Sequence, residues 1–278
     1  MEFTKMHGLG NDFLVFYGEK ALPKEASYLA QKWCNRNFGI GADGLVFILP
    51  SEQADFNMRI INSDGTEAEQ CGNAIRCVCK YVYEKGYVRS ERVTIETLGA
   101  GVQQAVLQTD SGVVTSVRID MGEPILAGRA IPTKLDASPV LDWPIEAAGQ
   151  KFNVTAVSMG NPHCIIYVED AASFDLNTWG PRLETHLFFP QKTNVEFATI
   201  ISRNRVEMRV WERGAGATLA CGTGACATLV SSVLHGYTNR AAWIGLPGGD
   251  LFVEWDEVDN HVYMNGPAET VYEGSVNR

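Results

Sequence analysis

Polar and apolar residues alternate along Phe56–Asn62 and again along Val206–Glu212, the two-residue period of a strand with one buried face. Each segment runs into a short loop, Ser63–Thr66 or Gly214–Ala217, and then into a Cys-Gly pair. Beyond each pair the apolar spacing becomes helical, over Ala74–Tyr83 and Ala225–Leu234, with Gly86 and Gly236 placed as stops. The same reasoning predicts strands at 92–97, 102–108, 113–120, 152–158, 195–201, 241–246 and 251–256, and a further helix at 26–37. Strands and helices in this mixture describe an α+β protein. The prolines between Gly122 and Pro144 mark that stretch as a crossover between two halves.

The two halves repeat at a constant offset of 150 residues. Met58-Arg59 falls on Met208-Arg209, Cys71-Gly72 on Cys221-Gly222, Gly86-Tyr87 on Gly236-Tyr237, and Gly10-Asn11 on Gly160-Asn161. Both Gly-Asn pairs precede apolar stretches, Phe13–Phe16 and Cys164–Val168. Four separate matches at one offset make Cys71 and Cys221 structural equivalents.

Composition narrows the function. At 278 residues and 45% hydrophobic content the chain can bury a sizeable core in about two domains. Its formal net charge of −10, with scattered Lys and Arg, argues against nucleic acid as a partner. The first residues show no basic segment followed by an apolar run, and no apolar stretch approaches membrane-spanning length, so a cytoplasmic protein without membrane association is expected. Seven cysteines, an odd number, fit reduced thiols better than a disulfide framework.

A cysteine at a helix start meets the positive end of the peptide dipoles, which favours thiolate and predicts a lowered pKa. The unpaired N–H groups of the same turn can hold a small carboxylate. Two such cysteines suit inversion of a stereocentre, where one group takes a proton and another returns one to the opposite face. The remaining cysteines, Cys34, Cys77, Cys79, Cys164 and Cys226, read as small buried residues. The C-x5-C-x-C spacing of Cys71, Cys77 and Cys79 matches no common zinc pattern, and Gly214–Gly224 lacks the Gly-Lys-Ser/Thr ending of a phosphate loop. A Cys–His nucleophile using His163 stays open on residues alone, although it leaves the second Cys-Gly turn unexplained. A thiol-dependent hydrolase would need one cysteine, and a binding protein neither.

With these residues in place, the chain resembles the diaminopimelate epimerase family. The resemblance rests on Lys5–Phe13, Gly39–Gly44, Asn62–Gly65, Cys71–Cys77, Met159–Cys164, Thr193–Phe197, Val210–Gly216 and Ala220–Cys226, in the family's order along nearly the whole chain. It implies an isomerase that interconverts LL- and meso-diaminopimelate in lysine biosynthesis, with no pyridoxal phosphate, other cofactor or metal, acting as a homodimer. It also implies two pseudo-symmetric domains, each a mixed β-sheet curled around a central helix, spanning 1–118 and 119–267, with a last strand at about 268–278 returning to the first.

Transferred by motif, Cys71 and Cys221 are the catalytic pair, Cys221 as base and Cys71 as donor in the LL-to-meso direction. Gly72-Asn73 and Gly222-Thr223 hold the reacting carboxylate. Asn11, Asn62, Asn161, Asn194, Glu212 and Arg213 bind substrate, and His163 and Glu212 tune the thiols. Arg213 suits a carboxylate and Glu212 an ammonium, as a substrate with a second amino-acid end requires; a racemase of the same fold acting on another amino acid would lack that need. The chain departs from the family pattern at Gly44, Ala217 and Asn265, where Gln, Glu and Thr are frequent.

Overall fold

A computed structural model describes residues 1–18 and 20–277. In chain order its elements are β1 (Glu2–Gly8), β2 (Asn11–Tyr17), α1 (Ala26–Trp33), β3 (Gly44–Leu49), β4 (Phe56–Asn62), β5 (Glu67–Ala68), α2 (Gly72–Glu84), β6 (Arg92–Thr97), β7 (Gly101–Asp110) and β8 (Val113–Asp120). They continue with β9 (Val140–Ala147), β10 (Gln150–Ser158), β11 (Pro162–Tyr167), α3 (Leu176–Glu184), β12 (Asn194–Ser202), β13 (Arg205–Glu212), β14 (Gly216–Thr218), α4 (Gly222–Leu234), β15 (Ala241–Leu246), β16 (Gly249–Trp255), β17 (Val262–Gly266) and β18 (Glu269–Ser275). The chain divides into two compact units, one of Met1–Ile119 with the return from Asn265, the other of Asp120–Met264. Position 278, the end of the expected return strand, lies outside the described residues.

In the first unit the sheet runs β18-β1-β2-β3-β4-β6-β7-β8, with β5 also on β4; β2–β3 and β4–β6 are parallel and the other neighbours antiparallel. Helix α2 touches β1, β2, β4 and β7, so the sheet curls around it. Residues 72–80 of α2 are buried without a break, as in a helix enclosed on nearly every side. A second layer lies under α1, where Leu29, Ala30 and Trp33 meet Leu14, Phe16 and Phe47. The rings of Phe16 and Phe47 stack at 5.2 Å between centroids.

The second unit repeats this plan. Its sheet runs β9-β10-β11-β12-β13-β15-β16, with β14 on β13 and parallel pairs at β11–β12 and β13–β15. Helix α4 touches β10, β11, β12, β13, β15 and β16, and α3 covers the outer face with Leu176 and Leu183. The repeat extends to single residue pairs. Phe13 opposes Gly44 as His163 opposes Asn194, Leu45 opposes Ile61 as Val195 opposes Trp211, and Ile60 opposes Ala68 as Val210 opposes Thr218. Both central helices end alike: Gly86 and Gly236 adopt positive φ (75° and 71°), and the next residues, Tyr87 and Tyr237, donate back to Val82 and Ser232.

The structure corrects several boundaries. The helix expected over 26–37 ends at Trp33, because the Asn35 side chain accepts from the Asn37 and Phe38 N–H groups and winds the chain into a turn. Helices α2 and α4 start at the glycine after each cysteine, earlier than the apolar pattern placed them. The expected crossover at 122–144 includes the first half of β9. Among the described residues no helix is long and apolar enough to cross a membrane.

Candidate functional site

Cys71 and Cys221 each occupy the position just before a 13-residue helix, with extended backbones (φ −154°, ψ 111° and φ −131°, ψ 111°). The Cys-Gly step therefore brings each sulfur and the first N–H groups of its helix to one place. Glycine at 222 is also a packing requirement, since a Cβ there would lie 2.9 Å from the Met264 sulfur.

Around Cys71, the thiol faces Asn11 Oδ1 at 3.6 Å, and Asn73 Nδ2 donates to the same oxygen at 3.0 Å. The Asn11 amide is oriented by Asp43, whose Oδ2 accepts from Asn11 Nδ2 at 2.8 Å. A carboxylate only accepts, so it holds the amide with its oxygen toward the sulfur. Arg36 and Lys5 pair with Asp12, and Arg36 also reaches Asp43. Asn62, at the end of β4, donates instead to Thr66 Oγ1 at 3.1 Å. Gly44 contributes no side chain, and a Cβ there would lie 2.9 Å from the Ile61 carbonyl oxygen.

Around Cys221 the same positions carry different chemistry. Thr223 Oγ1 lies 3.6 Å from the sulfur and accepts from Asn161 Nδ2 at 3.3 Å. Asn161 Oδ1 lies 2.9 Å from His163 Nε2, and His163 Nδ1 lies 2.6 Å from Glu196 Oε1, with both His163 and Glu196 fully buried. Glu212 accepts from Thr218 Oγ1 at 2.5 Å and from the Cys221 thiol. Asn194 stands slightly apart, donating to the Pro162 carbonyl and accepting from the Arg213 N–H, both at 2.9 Å. The Arg213 guanidinium is exposed, with one 3.3 Å bond to the Gln191 carbonyl.

The electrostatics overturn one expectation. Burial pushes the Cys221 thiol well above its ordinary pKa, helped by the nearby Glu212 and Glu196 carboxylates and opposed by the Thr223 hydroxyl and the Gly224 backbone. The helix dipole is thus outweighed by desolvation and negative charge. Burial also raises the Glu212 carboxyl, against the pull of Thr218 and Cys221. The thiols of Cys77, Cys79 and Cys164 are raised by burial as well, as befits packing residues.

Two residues escaped the sequence reading, Asp43 and Glu196. Asp43 sits in the Gly39–Gly44 segment and its role is visible only through its bond to Asn11. Glu196 carried a signal, as the single charged residue in the run Val195–Ile201, which is otherwise apolar but for Thr199.

The pattern of the diaminopimelate epimerase family matches residues 3–127 and 155–271. A diaminopimelate epimerase of Pelotomaculum thermopropionicum is 54% identical over 276 residues, covering 99% of this chain and 98% of that one. One from Methanococcus maripaludis is 53% identical, covering 99% of each. In fold, the chain is similar to the crystal structure of a probable proline racemase from Agrobacterium radiobacter, with a TM-score of 0.72 at 17% identity over 99% of this chain and 92% of that one. A hydroxyproline epimerase from Agrobacterium vitis gives the same TM-score and identity, covering 99% of this chain and 90% of that one. The chain belongs to the diaminopimelate epimerase family and is an isomerase that epimerises diaminopimelate.

Proposed function

We propose that the interconversion of LL- and meso-diaminopimelate runs through Cys71 and Cys221 as an acid/base pair, without a cofactor. The observation that carries this reading is the equivalence of the two cysteines, each placed ahead of a helix of identical extent with the same ψ. Inversion demands two groups of comparable acidity, one for each face of the α-carbon. Helix-start N–H groups at Gly72-Asn73 and Gly222-Thr223 hold the reacting carboxylate, which stabilises the carbanion as charge develops. Asn11, Asn62, Asn161 and Asn194 line the substrate. Glu212 takes the distal ammonium and the exposed Arg213 the distal carboxylate.

The raised thiol of Cys221 supports a role as proton store in the empty enzyme. It becomes a base once its proton passes to Glu212, whose own raised pKa suits it to accept one. His163 acts on the same balance from the other side. Carried by the family likeness, the reading also places the enzyme in lysine biosynthesis, in the cytoplasm, as a homodimer.

The test is exchange of the α-hydrogen in heavy water by purified reduced protein with no added cofactor. Exchange accompanied by interconversion of the two isomers is expected. Exchange without interconversion would leave one cysteine working alone and end the two-base reading.

A further inference from the structure

Glu196 is fully buried on β12, and only one of its carboxylate oxygens is partnered among the described residues. Oε1 meets His163 Nδ1 at 2.6 Å, while Oε2 is buried with no hydrogen-bond partner. From His163 the chain of contacts continues through Nε2 to Asn161 Oδ1 (2.9 Å), from Asn161 Nδ2 to Thr223 Oγ1 (3.3 Å), and from that hydroxyl to the Cys221 sulfur (3.6 Å). Carboxylate, imidazole, amide and hydroxyl therefore form one relay that ends on the thiol.

The protons in this relay can be counted. Nδ1 faces a carboxyl oxygen and Nε2 faces an amide oxygen, so Nε2 donates to Asn161, and with Glu196 ionised Nδ1 donates as well, the arrangement of an imidazolium. Turning the Asn161 amide over would make the ring neutral. It would also leave a buried carboxylate with one hydrogen bond and no countercharge, a costly arrangement in an apolar interior.

The other unit supplies an independent observation. At the 150-residue offset, Phe13, Val46 and Ala74 stand where the second unit has His163, Glu196 and Gly224. The three differences are physically linked. A Cβ at position 224 would lie 2.8 Å from Glu196 Oε1 and 3.3 Å from the Cys221 sulfur, so the glycine makes room for the carboxylate against the first turn of α4. Where no carboxylate is present, an alanine fits. His163, Glu196 and Gly224 thus form a device that the repeated fold does not require.

We infer that Glu196 is a positioning residue for the epimerisation: it holds His163 as an imidazolium and, through Asn161 and Thr223, orients the hydroxyl that faces the Cys221 sulfur. The inference rests on the catalytic assignment of Cys221 made above. The other titratable groups of the surroundings are Glu212 on β13, Cys164 on β11 and Cys221 itself.

The experiment is nuclear magnetic resonance of the intact protein with isotope-labelled histidine ring nitrogens, read without substrate. His163 is assigned by its loss in His163→Gln. In the unsubstituted protein near neutral pH, both His163 nitrogens are expected to be protonated. In Glu196→Gln, which keeps shape and one acceptor but removes the charge, a neutral ring with a single protonated nitrogen is expected. The kcat for α-hydrogen exchange should fall about tenfold to a hundredfold with KM within about twofold. Should Glu196→Gln fail to fold, Gly224→Ala displaces the carboxylate by its added methyl and should change the ring in the same direction. A neutral His163 in the unsubstituted protein, or a doubly protonated ring that survives either substitution, overturns the inference. Because the ring spectrum needs no turnover, it is read independently of the test on Cys221: full activity in Cys221→Ala would end the catalytic reading and leave the spectrum to report on the relay.

Discussion

The two units are built to one plan and differ in the charges they place beside an equivalent sulfur. In the first, Cys71 is half-buried and faces a neutral amide held by Asp43. In the second, Cys221 is buried between Glu212 and the His163–Glu196 pair. At the offset positions Asn62 answers Glu212 and Val46 answers Glu196. The backbone repeat gives both cysteines the same helix start, so any difference in their readiness to hold a proton comes from the deeper burial of Cys221 and from these side chains. On the proposed two-cysteine reading, a reversible epimerisation needs one thiol and one thiolate at a time, and the unequal surroundings would decide which cysteine holds the proton in the resting enzyme.

Removing each sulfur in turn is the harshest way to break the comparison. Cys71→Ala and Cys221→Ala should each lower interconversion of the isomers by about a thousandfold or more, since each deletes an acid or base for one face. Chiral analysis of the products checks this. Full activity in either variant would mean that only one unit carries chemistry.

Next in size is a test of stability. Arg76 is fully buried on α2, bonded to Asn73 Oδ1 and the Pro267 carbonyl, both at 2.9 Å, and its counterpart in α4 is Cys226. Arg76→Leu should destabilise the first unit by about 2–6 kcal/mol, because it strips the donor from two buried acceptors at about 1–3 kcal/mol each. Cys226→Ala should cost only about 1 kcal/mol for lost packing. Denaturant unfolding of the two variants measures the contrast, and equal costs would show that the first helix start needs no buried cation.

The thiol balance gives a smaller effect, read against pH. With the Cys221 pKa raised above its ordinary value of 9.0, its thiolate should be scarce through pH 9 and grow only beyond it. The difference in ultraviolet thiolate absorbance between the unsubstituted protein and Cys221→Ser follows this directly. A difference that saturates below pH 8 would show the helix dipole winning after all. The smallest effect is expected at Ala74→Gly, which copies Gly224 into the first unit. With no carboxylate to accommodate, the change should lower stability by about 0.5–1 kcal/mol through backbone entropy alone, as thermal unfolding will show.

What could be read in the sequence follows the same division between backbone and side-chain environment. The strand, loop, Cys-Gly and helix unit was legible twice, because its alternation, its stop glycine and its offset reinforce one another. Strands β3 and β11 were not, since residues such as Leu45–Leu49 are buried on both faces and show no alternation. Helix α3 was hidden by Gly180 and Pro181 inside it; that glycine is required because a Cβ would lie 2.5 Å from the Trp211 ring. Among candidate site residues, Asn11, Asn73, Asn161, His163, Glu212 and Thr223 fall into hydrogen-bonded groups around one sulfur or the other, while Asn62 bonds within its own turn. The direction of the Cys221 shift was out of reach, because it depends on how deeply the sulfur is buried and on Glu196, and neither follows from a residue's place in a motif.

The return strand β18 has a consequence for how the molecule comes into being. It pairs with β1, in the place that β9 takes beside β10. The second unit is therefore one continuous stretch of chain, whereas the first closes its sheet with the final strand. During translation the earlier-made unit must wait for the later-made one, so the half that leaves the ribosome first is the half completed last. For that interval β1 carries an open edge, and a nascent chain stalled before Glu269 would expose it to pairing with the wrong strand.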